Sequence, residues 1–210
     1  MLPAAAALLP AAAVSIAWWL SVRAGYIPDC IPHFEGCTSI SRAARYGVGN
    51  LVFKLVMIPC AFVHAAMWLQ ARAWVRGRHP DPHAGRSLVS LGLVAGAALI
   101  VYSAFLGTDG AVYQWMRRFG IVFYFGATVL AIFVFTHRLA QLHVETRITA
   151  AMQLVCGLLL ALGLASVGAR AIESDPELRD RLEDMLEWQL GTLIVIWPLV
   201  LAALWRRTGR

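Results

Sequence analysis

Charge is what this chain of 210 residues lacks: 14% of its residues are charged, against 60% hydrophobic. Eighteen basic and 12 acidic side chains cannot coat a globule of this size, so most soluble enzyme classes are excluded. A mean hydropathy of +0.67 points instead to a protein embedded in a membrane. Lysine is almost missing, with Lys54 the single example. The arginines are scattered between apolar segments in runs no longer than two, so the net charge of +6 reflects membrane topology and no nucleic-acid partner is expected. Familiar catalytic fingerprints are also lacking: there is no HExxH, GxSxG, P-loop or GxGxxG. His79 and His83 flank Asp81, but Pro80 and Pro82 prevent a helical ligand pair, and the six-residue spacing of His137 and His143 suits no zinc pattern. Neither a metal nor a cofactor is expected.

What the sequence does contain is six uncharged or nearly uncharged apolar runs. A hydrocarbon core of about 30 Å needs roughly 20 helical residues. Runs of that length lie at about 2–22, 48–69, 88–107, 119–136, 148–168 and 188–205, and only the second carries a charge, Lys54. The expected fold is all-α: one polytopic helical bundle over 1–210, with six transmembrane helices. Ala11, Ala12 and Ala13 resemble a signal-peptide cleavage site, yet no Lys or Arg precedes them and the apolar run continues to Trp18 and Trp19. The first run is therefore expected to be retained as a span.

Six spans place both termini on one face. The arginines divide almost evenly, but the Arg-rich segment 72–86 favours that face as cytoplasmic, and ten of the 12 acids fall on the other side. Gly92 and Gly96, and Gly157 with Ala161, make small-xxx-small pairs that admit a neighbouring helix or a second copy of the chain. Pro59 and Pro198 are expected to kink their spans.

The external loops carry the unusual chemistry. Cys30 and Cys37 share one loop and can form either a structural disulfide or a redox pair; the absence of a CxxC spacing favours the staple. Tyr46, Asn50 and Lys54 recur at four-residue intervals on one face of the second span. Two readings of Lys54 stand side by side: its stem snorkels to the headgroups, or it faces the bundle and pairs with a carboxylate or lipid phosphate. His64, deeper in the same span, is expected to be satisfied by a neighbouring helix. Ser174 and Glu177 form a capping-box pattern with Pro176 in the first turn, predicting a helix that begins outside the membrane and continues into the sixth span. Glu187, beside Trp188 at the interface, can reach inward toward Lys54, Arg117 or Arg118.

The SISRAARY segment, the IPCAFVHAAMW stretch, RFGIVFYFGATVLAIFVF and the LEW entering the sixth span, in that order, resemble the FRAG/DRAM/SFK family of six-span proteins. That family includes the damage-regulated autophagy modulators and a GPI-anchor lipid-remodelling protein, as well as the amino-terminal part of a cell-wall protein. Ser39, Ser41, Arg45, Tyr46, Pro59, Trp68, Gly120, Glu187 and Trp188 match the family pattern. Cys60, where an Arg often follows the proline, and Arg118, near an expected His, depart from it. The resemblance implies membrane-lipid homeostasis or remodelling. Beside it, the residues suggest a lipid-headgroup site built from Arg42, Arg45, Tyr46, Asn50, Lys54, Arg118 and Glu187, suited to an anionic phospholipid. The alternatives are a membrane enzyme, either an acyl-chain remodelling catalyst or a quinone-linked thiol oxidase using Cys30 and Cys37, and a non-catalytic interaction module.

Overall fold

A computed structural model describes residues 1–79, 81 and 83–208. Pro80 and Pro82, on which the reading of the His79–His83 segment turned, lie outside the described residues, as does Arg210. Among the described residues there is no strand. Six helices are long and apolar enough to cross a membrane: α1 (Leu2–Arg23), α4 (Gly47–Arg76), α5 (Arg86–Phe105), α6 (Ala111–Gln141), α7 (Thr146–Ile172) and α8 (Pro176–Thr208). Two short helices, α2 (Pro32–Glu35) and α3 (Ile40–Ala43), lie between the first two.

The long helices form a closed ring in chain order. Each packs on the one before and the one after it, and α1 closes the circle against α8. Lipid tails are as apolar as leucine, so small residues that let backbones approach are what hold such helices together. On α1 the buried positions Ala6, Pro10, Ala13, Ala17 and Ser21 make a stripe of small residues, and Gly49 of α4 sits directly over the Ala17 backbone. Gly92 is filled by the Trp68 side chain and Gly96 packs on the Ala61 carbonyl, so that GxxxG pair is occupied by α4 of the same chain. Gly157 of α7 differs, because a methyl group there would meet nothing within 4 Å.

Several helices run beyond the apolar segments, because helical hydrogen bonding continues past the hydrocarbon. The clearest case is α8, whose 33 residues extend about 50 Å at about 1.5 Å per residue. Its cap is Asp175 and not Ser174: the Asp175 carboxylate accepts the Glu177 N–H at 3.0 Å, as an N-cap side chain should.

The first turns of α8, as far as Gln189, are the post on which a small cap rests. Cys30 and Cys37 are joined in a disulfide that closes the loop carrying α2. Gly36 ends α2 in the left-handed region at φ 57°, so close to the Arg181 carbonyl that a Cβ would collide with it. Trp188 Nε1 donates to the Thr38 carbonyl at 2.8 Å and Gln189 Nε2 donates to the His33 carbonyl at 3.1 Å. Arg42 meets Asp184 at 3.6 Å. Ser21 of α1 donates to the Ala43 carbonyl at 2.6 Å, so the cap bridges the first and last helices of the ring.

Candidate functional site

The ring is plugged toward the end that carries the termini and hollow toward the capped end. The plug is aromatic: Trp68 of α4 stacks on Trp197 of α8, and Phe135 of α6 meets Trp197 edge-on at 5.6 Å. Between plug and cap lies a cavity of about 220 Å³. Its walls come from α1, α4, α5, α6 and α8, with His33 of α2 and Ile40 of α3 above. On α4 it extends from Phe53 to His64, about 16 Å at about 1.5 Å per residue. Of its lining, Ser15 of α1 and Thr192 of α8 are exposed and His33 is half-buried.

The lining is largely apolar, with polar groups at its two ends. At the capped end, Glu187 accepts hydrogen bonds from the Ser41 N–H, at 3.4 Å, and from the Ile40 N–H. His33 and Thr192 are hydrogen-bonded at 3.1 Å, and the His33 ring lies 5.1 Å from that of Trp188. Partial burial lowers the His33 pKa from its ordinary value of 6.5. Tyr102, 3% exposed, has a buried hydroxyl without a hydrogen-bond partner.

At the deep end, His64 Nδ1 lies 3.1 Å from the Cys60 carbonyl and 3.3 Å from the Cys60 thiol. A carbonyl can only accept, so Nδ1 carries the hydrogen and Nε2 is the free acceptor. The base that a nucleophilic thiol would require is therefore turned the wrong way, and Cys60 with His64 is not a catalytic pair. It is the Nδ1 of His64 that is satisfied, within its own helix and not by a neighbour as expected, while the ring makes an edge contact with Tyr124 of α6 at 6.2 Å.

The residues expected to form a headgroup site are distributed differently. Of the seven, only Glu187 lines the cavity. Arg42 faces outward to Asp184. Tyr46 is the N-cap of α4 and lies 5.5 Å from the Tyr26 ring. Asn50 donates to the Ala44 and Leu106 carbonyls at 2.9 and 3.1 Å, tying the cap to the end of α5. Lys54 is half-buried and, among the described residues, makes no ion pair; Arg118 is exposed. Arg45 lies near Tyr102 with its Nε buried and unpartnered. Arg117 donates to the Phe105 and Thr108 carbonyls. Glu187 is thus bonded to cap amides and not to Lys54, Arg117 or Arg118. Neither Cys30 nor Cys37 lines the cavity, and among the described residues no three metal-ligating side chains gather.

Tyr102, Tyr124, Thr192 and His33 were not singled out by sequence reasoning. The first two carried a usable signal, a polar group inside an otherwise uncharged span. Comparison with known proteins adds no neighbour: no family model, curated protein or solved structure matches this chain.

Proposed function

We propose that this chain is an integral membrane protein of membrane-lipid homeostasis or remodelling, which seats the chain of a lipid inside the helical ring and its head beneath the cap. In this reading both termini are cytoplasmic and the disulfide-bearing cap lies outside. The observation that carries it is the cavity itself. An elongated hollow with apolar walls and hydrogen-bonding groups at its capped end has the polarity profile of a membrane amphiphile. Cys30 and Cys37 lie away from this cavity, along a separate and more open groove with Arg42 and Asp184, and their disulfide is read as a staple for the cap.

The test is native mass spectrometry of the detergent-extracted protein beside Ala11→Phe and Val195→Phe, two substitutions that fill the cavity. The wild type is expected to carry a lipid, and both variants to lose it while still unfolding cooperatively. Retention of the same lipid by folded variants would overturn the reading.

A further inference from the structure

We propose that the cavity selects a single-chain amphiphile whose head is uncharged and hydrogen-bonding, such as a hydroxyl, held between Glu187 and Tyr102. The inference rests on the cavity being a lipid site and adds the chemistry of the head.

Three observations lead to it. The first is charge: among the lining residues there is a carboxylate, Glu187, and neither Lys nor Arg. A phosphate or carboxylate head seated there would face Glu187 directly, while the nearest guanidiniums stand behind the lining, Arg42 on Asp184 and Arg117 on backbone carbonyls, with Arg45 beside Tyr102, so that the carboxylate is already balanced and the head need carry no charge of its own. The second is the unused donor. A phenol O–H buried without an acceptor forfeits the water it would otherwise bond, and such groups are few in folded proteins. Ten side-chain polar atoms among the described residues are so placed, and of these the Tyr102 hydroxyl is the one whose residue shares the cavity lining with Glu187. The third is geometry. Glu187 is held by the amides of Ile40 and Ser41, which fix its direction while leaving further lone pairs free.

A hydroxyl fits this pair, because it accepts from the Tyr102 O–H and donates to the Glu187 carboxylate at once. An ammonium head could only donate, which leaves the Tyr102 O–H unpartnered, and it would meet the like charge of Arg45 beside Tyr102. The volume limits the rest of the ligand: about 220 Å³ is below the roughly 300 Å³ at which small-molecule pockets usually begin, which admits part of one chain and not the paired chains of a phospholipid, the remainder of a long chain lying outside the cavity.

The experiment measures binding of 1-hexadecanol, hexadecanoate, hexadecyl phosphate and hexadecylamine to the full-length protein in detergent at pH 7.5, by competition in native mass spectrometry. Hexadecanol is expected to bind at least ten-fold more tightly than either anion and more tightly than the amine. Tyr102→Phe should weaken hexadecanol about five-fold, the usual worth of one neutral hydrogen bond, without shifting the melting temperature of the unliganded protein. Glu187→Gln should bring hexadecanoate to within about three-fold of hexadecanol by removing the like charge. Equal binding of all four probes, tighter binding of an anion or the amine, or an unchanged affinity in Tyr102→Phe would overturn the headgroup inference and leave lipid binding intact. Failure of every probe to bind would remove the cavity reading itself.

Discussion

Trp68 and Trp197 stack with their ring centroids 5.4 Å apart and their planes 27° from parallel, joining α4 and α8 across the centre of the ring. Both are fully buried, about one helical turn beyond His64 and Ile194 of the cavity lining. Trp197→Ala should cost about 3–5 kcal/mol, the range for emptying a large aromatic site, and should deepen the cavity. Thermal unfolding in detergent checks the first part, and a longer-chain probe gaining affinity over hexadecanol checks the second.

The disulfide closes a short loop, so its contribution should be modest. Replacing both cysteines, Cys30→Ser with Cys37→Ser, should lower stability by about 2 kcal/mol and leave the ring assembled. Labelling should show no free thiol at either position in the untreated protein and two after reduction.

Gly92, packed against Trp68, and Gly157, which faces open space, should respond differently to substitution. Gly92→Leu drives a side chain into Trp68 and should destabilise by about 1–3 kcal/mol. Gly157→Ala enters open space and should be neutral or gain up to about 1 kcal/mol from helix propensity. Equal losses from the two would mean that α7 is packed more closely than the fold described above.

Partial burial favours neutral His33, placing its folded-state pKa below the ordinary 6.5. The unfolded chain then binds the proton more readily. The His33 contribution is fully present above pH 6.5 and is lost as pH falls toward the folded-state pKa. Melting temperatures at pH 8 and pH 5 should differ more for the wild type than for His33→Gln, and identical differences would dismiss the effect.

Lys54→Met should leave stability unchanged or raise it slightly, since no ion pair is broken and a charge near hydrocarbon is removed. A loss near 3 kcal/mol would reveal a partner that this structure does not contain.

The spans were legible in the sequence because hydropathy and length are local properties. Their ends were less so. Hydropathy marks where the hydrocarbon stops, whereas α6 begins at Ala111, eight residues ahead of the apolar run at Phe119; the early start of α8 at Pro176 was legible through its capping pattern and proline. The cap was missed by one residue because Ser174 and Asp175 are both good capping residues, and only geometry shows whose oxygen reaches the Glu177 amide. The site was harder. Glu187 could be picked out because a carboxylate beside a span is unusual. Ala11, Ser15 and Gly191 look like ordinary packing residues, and they line a cavity only because α1 closes against α8, a relationship no window of sequence contains. The arginines were misleading for the converse reason: Arg42 and Arg117 share the loop end with Glu187, but each is taken up by Asp184 or by backbone carbonyls.

Ring closure between α1 and α8 also fixes an order of events during synthesis. Roughly 150 residues separate the two helices, so at ordinary elongation rates α1 waits on the order of 8–30 s for its second neighbour. Throughout that interval the Ala-rich helix has α4 on one side and bare lipid on the other, and the cap has no post to rest on. The emerging chain is thus an open crescent, whose exposed seam would have to be shielded by an insertion chaperone or by lipid until the last helix arrives. Truncation before α8 should leave the chain permanently in that crescent, an attractive substrate for membrane proteolysis.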